Sequence, residues 1–306
     1  MRIAVTGSHG LVGRALVAAL AEDGHEVVPI VRGTPDHGQI GWDPSAARLD
    51  PADLEGVDAV VHLAGEPIGA RRWTAAQKLR IQESRTRSTA LLARTAARMR
   101  GGPRTLLCAS GVHFYGDRGD EVLTADSGPG GGFLSRVVRA WEAAADPARA
   151  AGLRVVHVRA GVVLAPEAEI LTRQVPLFRL GLGAKMGSGR QHLSWIAIDD
   201  IVRVYRHLLT SSDLAGAVNA VSPNPVTNAE FTRTLARVLG RPVVLPFIPR
   251  LGPRLLLGEM ADELLFSSQR VLPERLLADG FEFRYPELEA ALRHVLRRPA
   301  PAQRAA

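Results

Sequence analysis

The sequence predicts an α/β fold in which a doubly wound parallel sheet carries helices on both faces and is joined to a smaller, mostly helical C-terminal lobe. Through the first 160 residues, apolar runs of strand length alternate with amphipathic segments of helix length, as in parallel sheets covered on both sides. The first run ends in a glycine-rich turn that leads directly into a helix, as in sheets of the Rossmann type. After residue 160 the alternation loosens, and prolines divide the chain into short segments.

The individual elements follow from this alternation. We expect strands near 2–6, 26–31, 58–63, 104–109 and 153–158, a shorter element around 40–42, and helices near 11–23, 74–99 and 133–150. Asp199 and Asp200 follow an apolar run and are typical of residues that cap the first turn of a helix. The predicted organisation is a Rossmann-type domain (1–163 and 190–222), a smaller covering lobe (164–189 and 223–298) and a disordered tail (299–306).

Composition excludes several functional classes. The net charge is +7, but the basic residues are scattered among acids and only 5% of residues are aromatic, which favours a solvated surface over a nucleic-acid site. Cys108 is the only cysteine, so an intramolecular disulfide and a Cys-rich zinc site are excluded, and its apolar neighbours predict a buried, inert thiol. No apolar stretch is long enough to span a bilayer. We therefore expect a cytoplasmic protein with no membrane or nucleic-acid partner.

The turn after the first strand is the strongest functional motif. Gly7 allows a tight turn, Gly10 allows the backbone to approach a pyrophosphate, and Gly13 allows the helix to pack against the sheet. The N-terminus of the helix then favours an anion. The alternative is a turn that serves packing only. The expected cofactor contacts are Gly7, Ser8, His9, Gly10, Leu11, Val12 and Gly13.

The end of the second strand indicates which dinucleotide binds. An acidic residue there usually holds the ribose hydroxyls of NAD, whereas a basic residue holds the 2′-phosphate of NADP. The strand ends in Arg32 with no acid at its tip, which favours NADP(H). The alternatives are that Arg32 is an exposed loop cation and that Asp36, four residues on, competes for the site.

Several segments together resemble a known family. They are Thr6–Gly13, Asp58–Gly65, the stretch from Arg71-Arg72-Trp73 to Lys78, Ser84-Arg85, Ser110–Asp117, Trp195, Asn219–Asn228, and the run from Leu272-Pro273 through Gly280-Phe281 to Ala291-Leu292. Over about residues 1–297 the chain is similar to the atypical extended short-chain dehydrogenase/reductases. It most resembles their epimerase-like subfamily, whose C-terminal domain has no assigned function.

The resemblance implies further cofactor contacts. Leu63, Ala64 and Gly65 would line the adenosine-ribose side, where small residues let the backbone run against a nucleotide. Arg85 and Val162 would also contact the cofactor, and Ala109, at the end of the fifth strand, is a further expected contact. For Arg85, the residues alone leave phosphate contact and a solvated helix face equally open.

The chain departs from the wider superfamily in its catalytic residues. The usual tyrosine acts with a lysine four residues later, but no Tyr-x-x-x-Lys occurs in this sequence, and residues 133–142 contain neither residue type. Ser110 remains at the edge of the sheet where ligands bind, followed by His113 and Tyr115. We predict these three as catalytic candidates, with a loop-shaping role preferred for Tyr115 and the role of His113 open.

The other histidines and serines do not indicate a different chemistry. His62 and His157 lie in apolar strands and are expected to be buried, while His192 and His207 lack partners at metal-ligand spacing. No Gly-x-Ser-x-Gly motif supports a hydrolase. The sequence therefore predicts an NADP(H)-dependent oxidoreductase or epimerase-like enzyme that acts on a small molecule of unknown identity, and is a candidate homodimer. The alternative is a non-catalytic NADP(H)-binding sensor or regulatory protein, and nucleic-acid binding ranks last.

Overall fold

An eight-stranded sheet, in which seven strands are parallel, forms the centre of the computed structural model, which describes residues 1–210 and 214–297. The predicted tail at 299–306 lies outside the described residues. The strands are β1 Arg2–Thr6, β2 Glu26–Arg32, β3 Ile40–Asp43, β4 Arg48–Leu49, β5 Ala59–His62, β6 Thr105–Gly111, β7 Val122–Leu123, β8 Arg154–Ala160, β9 Val162–Leu164, β10 His192–Leu193, β11 Trp195–Ala197, β12 Gly216–Ala220, β13 Val226–Thr227 and β14 Arg270–Val271.

The helices cover both faces of this sheet and form most of the C-terminal lobe. They are α1 Leu11–Glu22, α2 Ala75–Ala97, α3 Phe133–Ala143, α4 Asp146–Ala150, α5 Glu169–Arg179, α6 Ile198–Thr210, α7 Asn228–Leu239, α8 Leu251–Leu257, α9 Glu259–Leu265, α10 Glu274–Ala278 and α11 Leu288–Val295, with 3₁₀ turns at Pro51–Leu54 and Val112–Tyr115. Within the described ranges, no helix is both long and apolar enough to span a bilayer.

The strand order is β12-β8-β6-β5-β1-β2-β3-β4, and only β4 is antiparallel to its neighbour. Because side chains alternate along a strand, Ile3 and Val5 pack towards α1 and α6, whereas Ala4 packs towards α2 and α4. Both faces of the sheet are therefore covered by helices. This confirms the predicted doubly wound Rossmann sheet.

The chain leaves β1 in one direction to reach β2 and returns to its other side to form β5. Such a reversal opens a crevice at the carboxyl ends of the two strands, and ligands bind there in doubly wound sheets. The crevice lies beside Thr6 and His62, the last residues of β1 and β5.

The C-terminal lobe has a core of its own. It contains buried side chains from α5, α7 and α11, among them Leu171, Phe231 and Leu292, and Trp195 of β11 packs into the same cluster. Helix α8, by contrast, has no buried residue.

Three local features differ from the predictions. The predicted helix at 133–150 is divided into α3 and α4, and Pro147, which lacks an N–H to donate, lies in the first turn of α4. The predicted capping role of Asp200 is wrong, because its carboxylate accepts the backbone N–H groups of Arg284 and Tyr285 at 2.7 and 2.9 Å. The parallel strand β12 is not among the predicted strands.

Candidate cofactor site and active site

The turn between β1 and α1 has room only for glycine at two of its positions. Gly7 has a φ of +67°, which disfavours a side chain. A Cβ atom on Gly13 would lie 2.1 Å from the carbonyl oxygen of Gly7, so the first turn of α1 lies directly against the end of β1. The Gly10 N–H donates to the Gly7 carbonyl oxygen at 2.9 Å and closes the turn. These contacts form a tight cradle of backbone at the crevice.

The start of α1 is open to an anion. Its N-cap residue, Gly10, provides no side-chain cap, and its first turn carries no acidic residue, so backbone N–H groups and the helix dipole remain unneutralised. His9 and Gly10 are exposed, Leu11 and Val12 are half-buried, and Ser8 is buried. The cradle therefore fits the pyrophosphate of a dinucleotide.

Hydrogen bonds fix the opposite wall of the crevice. The Leu63 and Ala64 N–H groups donate to Thr6 Oγ1 at 3.1 and 3.2 Å. The Thr6 hydroxyl lies 2.7 Å from His62 Nδ1, and His62 Nε2 lies 3.0 Å from Ser88 Oγ. Burial, with the charge of Arg85, lowers the pKa of His62 to about 3. The buried position expected for His62 is confirmed, and both of its ring nitrogens have hydrogen-bond partners.

Arg85 lies beneath the loop that follows β5. Its Nη1 donates to the carbonyl oxygens of Glu66 and Ile81 at 2.9 and 3.0 Å, and its guanidinium lies 5.0 Å from the centre of the Trp141 ring. Burial lowers the pKa of Arg85 to about 10, which leaves it charged at neutral pH. The half-buried guanidinium thus holds the loop in place instead of lying on a solvated helix face.

Arg32 lies at the tip of β2, where it is exposed and pairs in register with Trp42 of β3. Within the described part of the chain it forms no ion pair. A phosphate at this edge of the crevice would find an unpaired guanidinium, and an exposed loop cation would have the same geometry.

A buried ion pair lies behind Ser110, at the carboxyl end of β6. The Ser110 hydroxyl donates to Glu142 Oε1 at 2.6 Å. Arg159 of β8 donates to the two Glu142 oxygens through Nε and Nη2, each at 2.9 Å. Burial alone would raise the pKa of Glu142, but the hydrogen bonds and charge of Arg159, with the Ser110 hydrogen bond, hold it below its ordinary value. Ser110 is therefore bound to a carboxylate that stays charged.

Tyr115 belongs to the same network. Its hydroxyl donates to Asn219 Oδ1 at 2.7 Å and accepts from Arg159 Nη1 at 3.0 Å. The side chain is fully buried, and burial raises its pKa. A phenol enclosed and paired in this way favours the loop-shaping interpretation over a catalytic one.

His113 has a different environment. It lies half-buried in the 3₁₀ turn after β6, where its backbone carbonyl accepts from the Gly116 N–H at 3.1 Å, but its imidazole ring makes no hydrogen bond within the described ranges. Burial and the charge of Arg85 lower its pKa to about 4. The imidazole is therefore neutral at physiological pH and has both nitrogens available to a ligand.

Helix α3 passes beside this cluster without a tyrosine or a lysine. Its N-terminus is capped from the C-terminal lobe, because Glu263 of α9 accepts the N–H groups of Phe133 and Leu134 at 2.5 and 2.8 Å. Lys78 of α2 forms an ion pair with Glu259. The C-terminal lobe is thus attached to the rim of the crevice.

The sequence analysis did not identify Glu142, Arg159, Asn219 or Glu263 as parts of the site. Their partners are distant in the chain, up to 130 residues for Phe133 and Glu263. The available signal was the presence of Arg159 directly after the apolar residues of the buried strand β8, because a buried arginine requires a paired acid.

Other predicted residues lie away from the crevice or line its edge. Ala109 lies near the carboxyl end of β6, and Val162 is the first residue of β9. Both are half-buried. Cys108 is buried as predicted, and burial raises its pKa to about 12, which favours an unreactive thiol. His157 is buried as predicted, but its Nδ1 has no hydrogen-bond partner. Among the described residues, no cluster of His, Cys, Asp or Glu is able to hold a metal.

Two cavities differ in their relation to this chemistry. The larger, about 850 Å³, lies between α1 and α6 and is lined by their charged side chains, away from Ser110. The smaller, about 430 Å³, combines Gly119 and Asp120, which follow the Tyr115 loop, with residues of the second lobe such as Gly187, Arg250 and Phe266. The smaller cavity is the better substrate candidate, since both lobes contribute to it.

Comparisons with known proteins agree with this geometry. A model of the NAD dependent epimerase/dehydratase family matches residues 3–221, and a model of a domain of unknown function matches residues 248–295. An epimerase family protein from Mycobacterium bovis is 42% identical over 298 residues, which cover 97% of this chain and 98% of that protein.

Solved structures show the same relationship. The human epimerase family protein SDR39U1, crystallised with NADPH, superposes with a TM-score of 0.88 at 35% identity and covers 97% of this chain and 99% of its own. A nucleoside-diphosphate sugar epimerase from Corynebacterium glutamicum gives a TM-score of 0.81 at 39% identity, and the match spans 97% of this chain but 58% of that longer one. With its glycine cradle, its strand order and these relatives, the chain belongs to the NAD-dependent epimerase/dehydratase family.

Proposed function

We propose that the protein is an NADP(H)-dependent oxidoreductase or epimerase-like enzyme that acts on a small molecule. One observation carries the proposal: in the strand order β6-β5-β1, the glycine cradle after β1 and Ser110 near the end of β6 lie at the same carboxyl edge of the sheet, and His113 is in the turn that follows β6. A dinucleotide in the cradle would extend its nicotinamide over this edge.

NADP(H) is the proposed cofactor. The human relative was crystallised with NADPH, and this chain has an unpaired, exposed arginine, Arg32, at the tip of β2, where the 2′-phosphate of NADP is recognised in this fold. The loop from Leu63 to Gly65 and the charged Arg85 would complete the pocket for the rest of the nucleotide.

The bound cofactor would supply hydride transfer, and the protein would supply position and hydrogen bonds. Because the Ser110 hydroxyl donates its hydrogen bond to Glu142, the lone pairs of the Ser110 oxygen are available to a ligand. It would therefore accept a hydrogen bond from a hydroxyl or amine of the substrate. Neutral His113 can donate or accept beside it.

A second candidate is a non-catalytic NADP(H)-binding protein. The observation in its favour is that Glu142, which accepts from Ser110, and His113, three residues after Ser110, both have pKa values below their ordinary ranges. Both are therefore weak bases, and neither replaces the absent tyrosine and lysine directly.

Three further predictions stay proposals. We place the Rossmann domain at 1–163 and 190–222 and the covering lobe at 164–189 and 223–298. A homodimer stays a candidate assembly, and we expect a cytoplasmic location.

Turnover separates the two candidate functions. Loss of NADPH absorbance would be followed with a panel of small aldehydes, ketones and keto acids, and gain of absorbance with NADP⁺ and the matching alcohols. For an enzyme, Ser110→Ala should lower turnover by about 100-fold, while the exposed control Ser45→Ala should leave it unchanged. NADPH binding without turnover of any panel member would favour the sensor.

A further inference from the structure

Two segments of the C-terminal lobe expose an unusual amount of apolar surface. Of the fourteen large apolar side chains that are exposed in the described chain, ten lie in residues 177–182 and 243–256. Leu180, Leu255 and Leu256 are 74%, 70% and 75% exposed. A concentration of this kind marks an interaction site more often than chance exposure does.

The two segments are joined through their backbones. Met186 and Ile248 form a β-bridge, the Ile248 N–H donates to the Lys185 carbonyl oxygen at 2.8 Å, and the Gly187 N–H donates to the Ile248 carbonyl oxygen at 2.9 Å. Helix α8 continues from this junction and buries none of its residues. We call residues 177–190 and 241–257 the apolar surface.

The charge of the apolar surface has a single sign. Its two segments contain no aspartate or glutamate and six cations, which are Arg179, Lys185, Arg190, Arg241, Arg250 and Arg254. Arg250 and Arg254 pair with Asp262 of α9 at 2.8 and 3.1 Å. The other four form no ion pair in the described part of the chain, so the surface presents exposed leucines among uncompensated positive charges.

We propose that the apolar surface docks the protein on an anionic lipid surface. Exposed leucine and phenylalanine side chains enter the boundary between headgroups and acyl chains, while arginine and lysine attract anionic headgroups. A second copy of the chain is a poorer occupant, because a two-fold contact would set the same cations against each other. Docking of this kind needs no spanning helix. It departs from the expectation of no membrane partner, which rested on the lack of an apolar stretch long enough to span a bilayer.

Vesicle flotation of the full chain tests the proposal. The protein should float with vesicles of phosphatidylglycerol and phosphatidylcholine in equal parts, and should float less with phosphatidylcholine alone or at high salt. The double variant Leu255→Ser/Leu256→Ser should lower vesicle affinity by about tenfold or more. These side chains are exposed, so the variant should fold. The matched control is Leu79→Ser, 55% exposed on α2.

Two double arginine variants test whether positive charge contributes to docking. Arg179→Gln/Arg241→Gln should lower affinity for the anionic vesicles, whereas Arg94→Gln/Arg100→Gln, elsewhere on the surface, should lower it much less. Absence of flotation, or equal effects of variant and control, would overturn the proposal. So would a dimer by light scattering that Leu255→Ser/Leu256→Ser converts to a monomer, because a second copy would then cover the surface.

Discussion

The Ser110 hydroxyl donates a hydrogen bond to Glu142 Oε1 at 2.6 Å, so a buried carboxylate on α3 holds the serine at the edge of the sheet. The same carboxylate is paired with Arg159, whose side chain is only 5% exposed. In this chain, the helix that lacks a catalytic tyrosine and lysine instead carries the acid that orients the serine.

The Glu142–Arg159 pair should be important for stability. Glu142→Ala leaves a buried guanidinium without its partner, which typically costs about 3–5 kcal/mol. Chemical denaturation should show a loss of this size in the free energy of unfolding. The control Glu121→Ala breaks the more exposed pair with Arg118 and should cost under about 1 kcal/mol. Equal losses for the two variants would contradict the assigned role.

Gly13→Ala should prevent cofactor binding. Its Cβ would lie 2.1 Å from the Gly7 carbonyl oxygen, so α1 would have to move away from β1 and the cradle would open. A calorimetric titration with NADPH should show no binding. Gly101→Ala, where an added Cβ meets nothing within 4 Å, is the control, and unchanged binding by Gly13→Ala would argue against the cradle.

Tyr115→Phe should affect stability more than cofactor binding. Removing the hydroxyl leaves Asn219 Oδ1 without its donor and takes one contact from Arg159, at a cost of about 1–3 kcal/mol. Thermal denaturation and NADPH titration of the same sample measure both effects. Unchanged stability with a large loss of turnover would instead make Tyr115 catalytic.

His62 should make the protein less stable in acid. Its pKa is lowered from 6.5 to about 3 in the folded state, so between these values the unfolded chain binds the extra proton. Above about pH 6.5 His62 does not lower the free energy of unfolding. As pH is lowered from 6.5 towards 3, the free energy of unfolding falls by up to about 1.4 kcal/mol per pH unit. The free energy of unfolding at several pH values measures this slope.

His62→Gln should flatten that slope, although His113, whose pKa is lowered to about 4, keeps part of it. His37→Gln, in an exposed loop, is the control and should leave the slope as it is. A slope that His62→Gln does not change would show that other groups govern the acid sensitivity.

Local sequence predicted the parts of the fold that depend on near neighbours. The turn from Gly7 to Gly13 lies within seven residues, and the apolar runs specify most of the parallel strands directly. Strand β12, with a glycine and Asn219 among its five residues, is the parallel strand that was missed. The split between α3 and α4 was missed because amphipathic periodicity continues across residues 144–146, although Pro147 marks the break.

The candidate site depends on distant partners and was predicted less completely. Ser110 was identified from its position at the end of β6, but Glu142 is 32 residues away and Asn219 is 104 residues from Tyr115. No local spacing connects such residues. Asp200 was misassigned for the same reason, because its N–H donors, Arg284 and Tyr285, come from the other end of the chain.

The most direct test of the account is a calorimetric titration of cofactor-free protein with NADPH and with NADH, repeated for Arg32→Ala and for the exposed control Arg94→Ala. We expect tighter binding of NADPH, a preference that Arg32→Ala removes by weakening NADPH alone, by about tenfold or more. Arg94→Ala should bind as the parent does. Failure to bind either nucleotide, or an NADPH preference that survives Arg32→Ala, would contradict the proposed cofactor site.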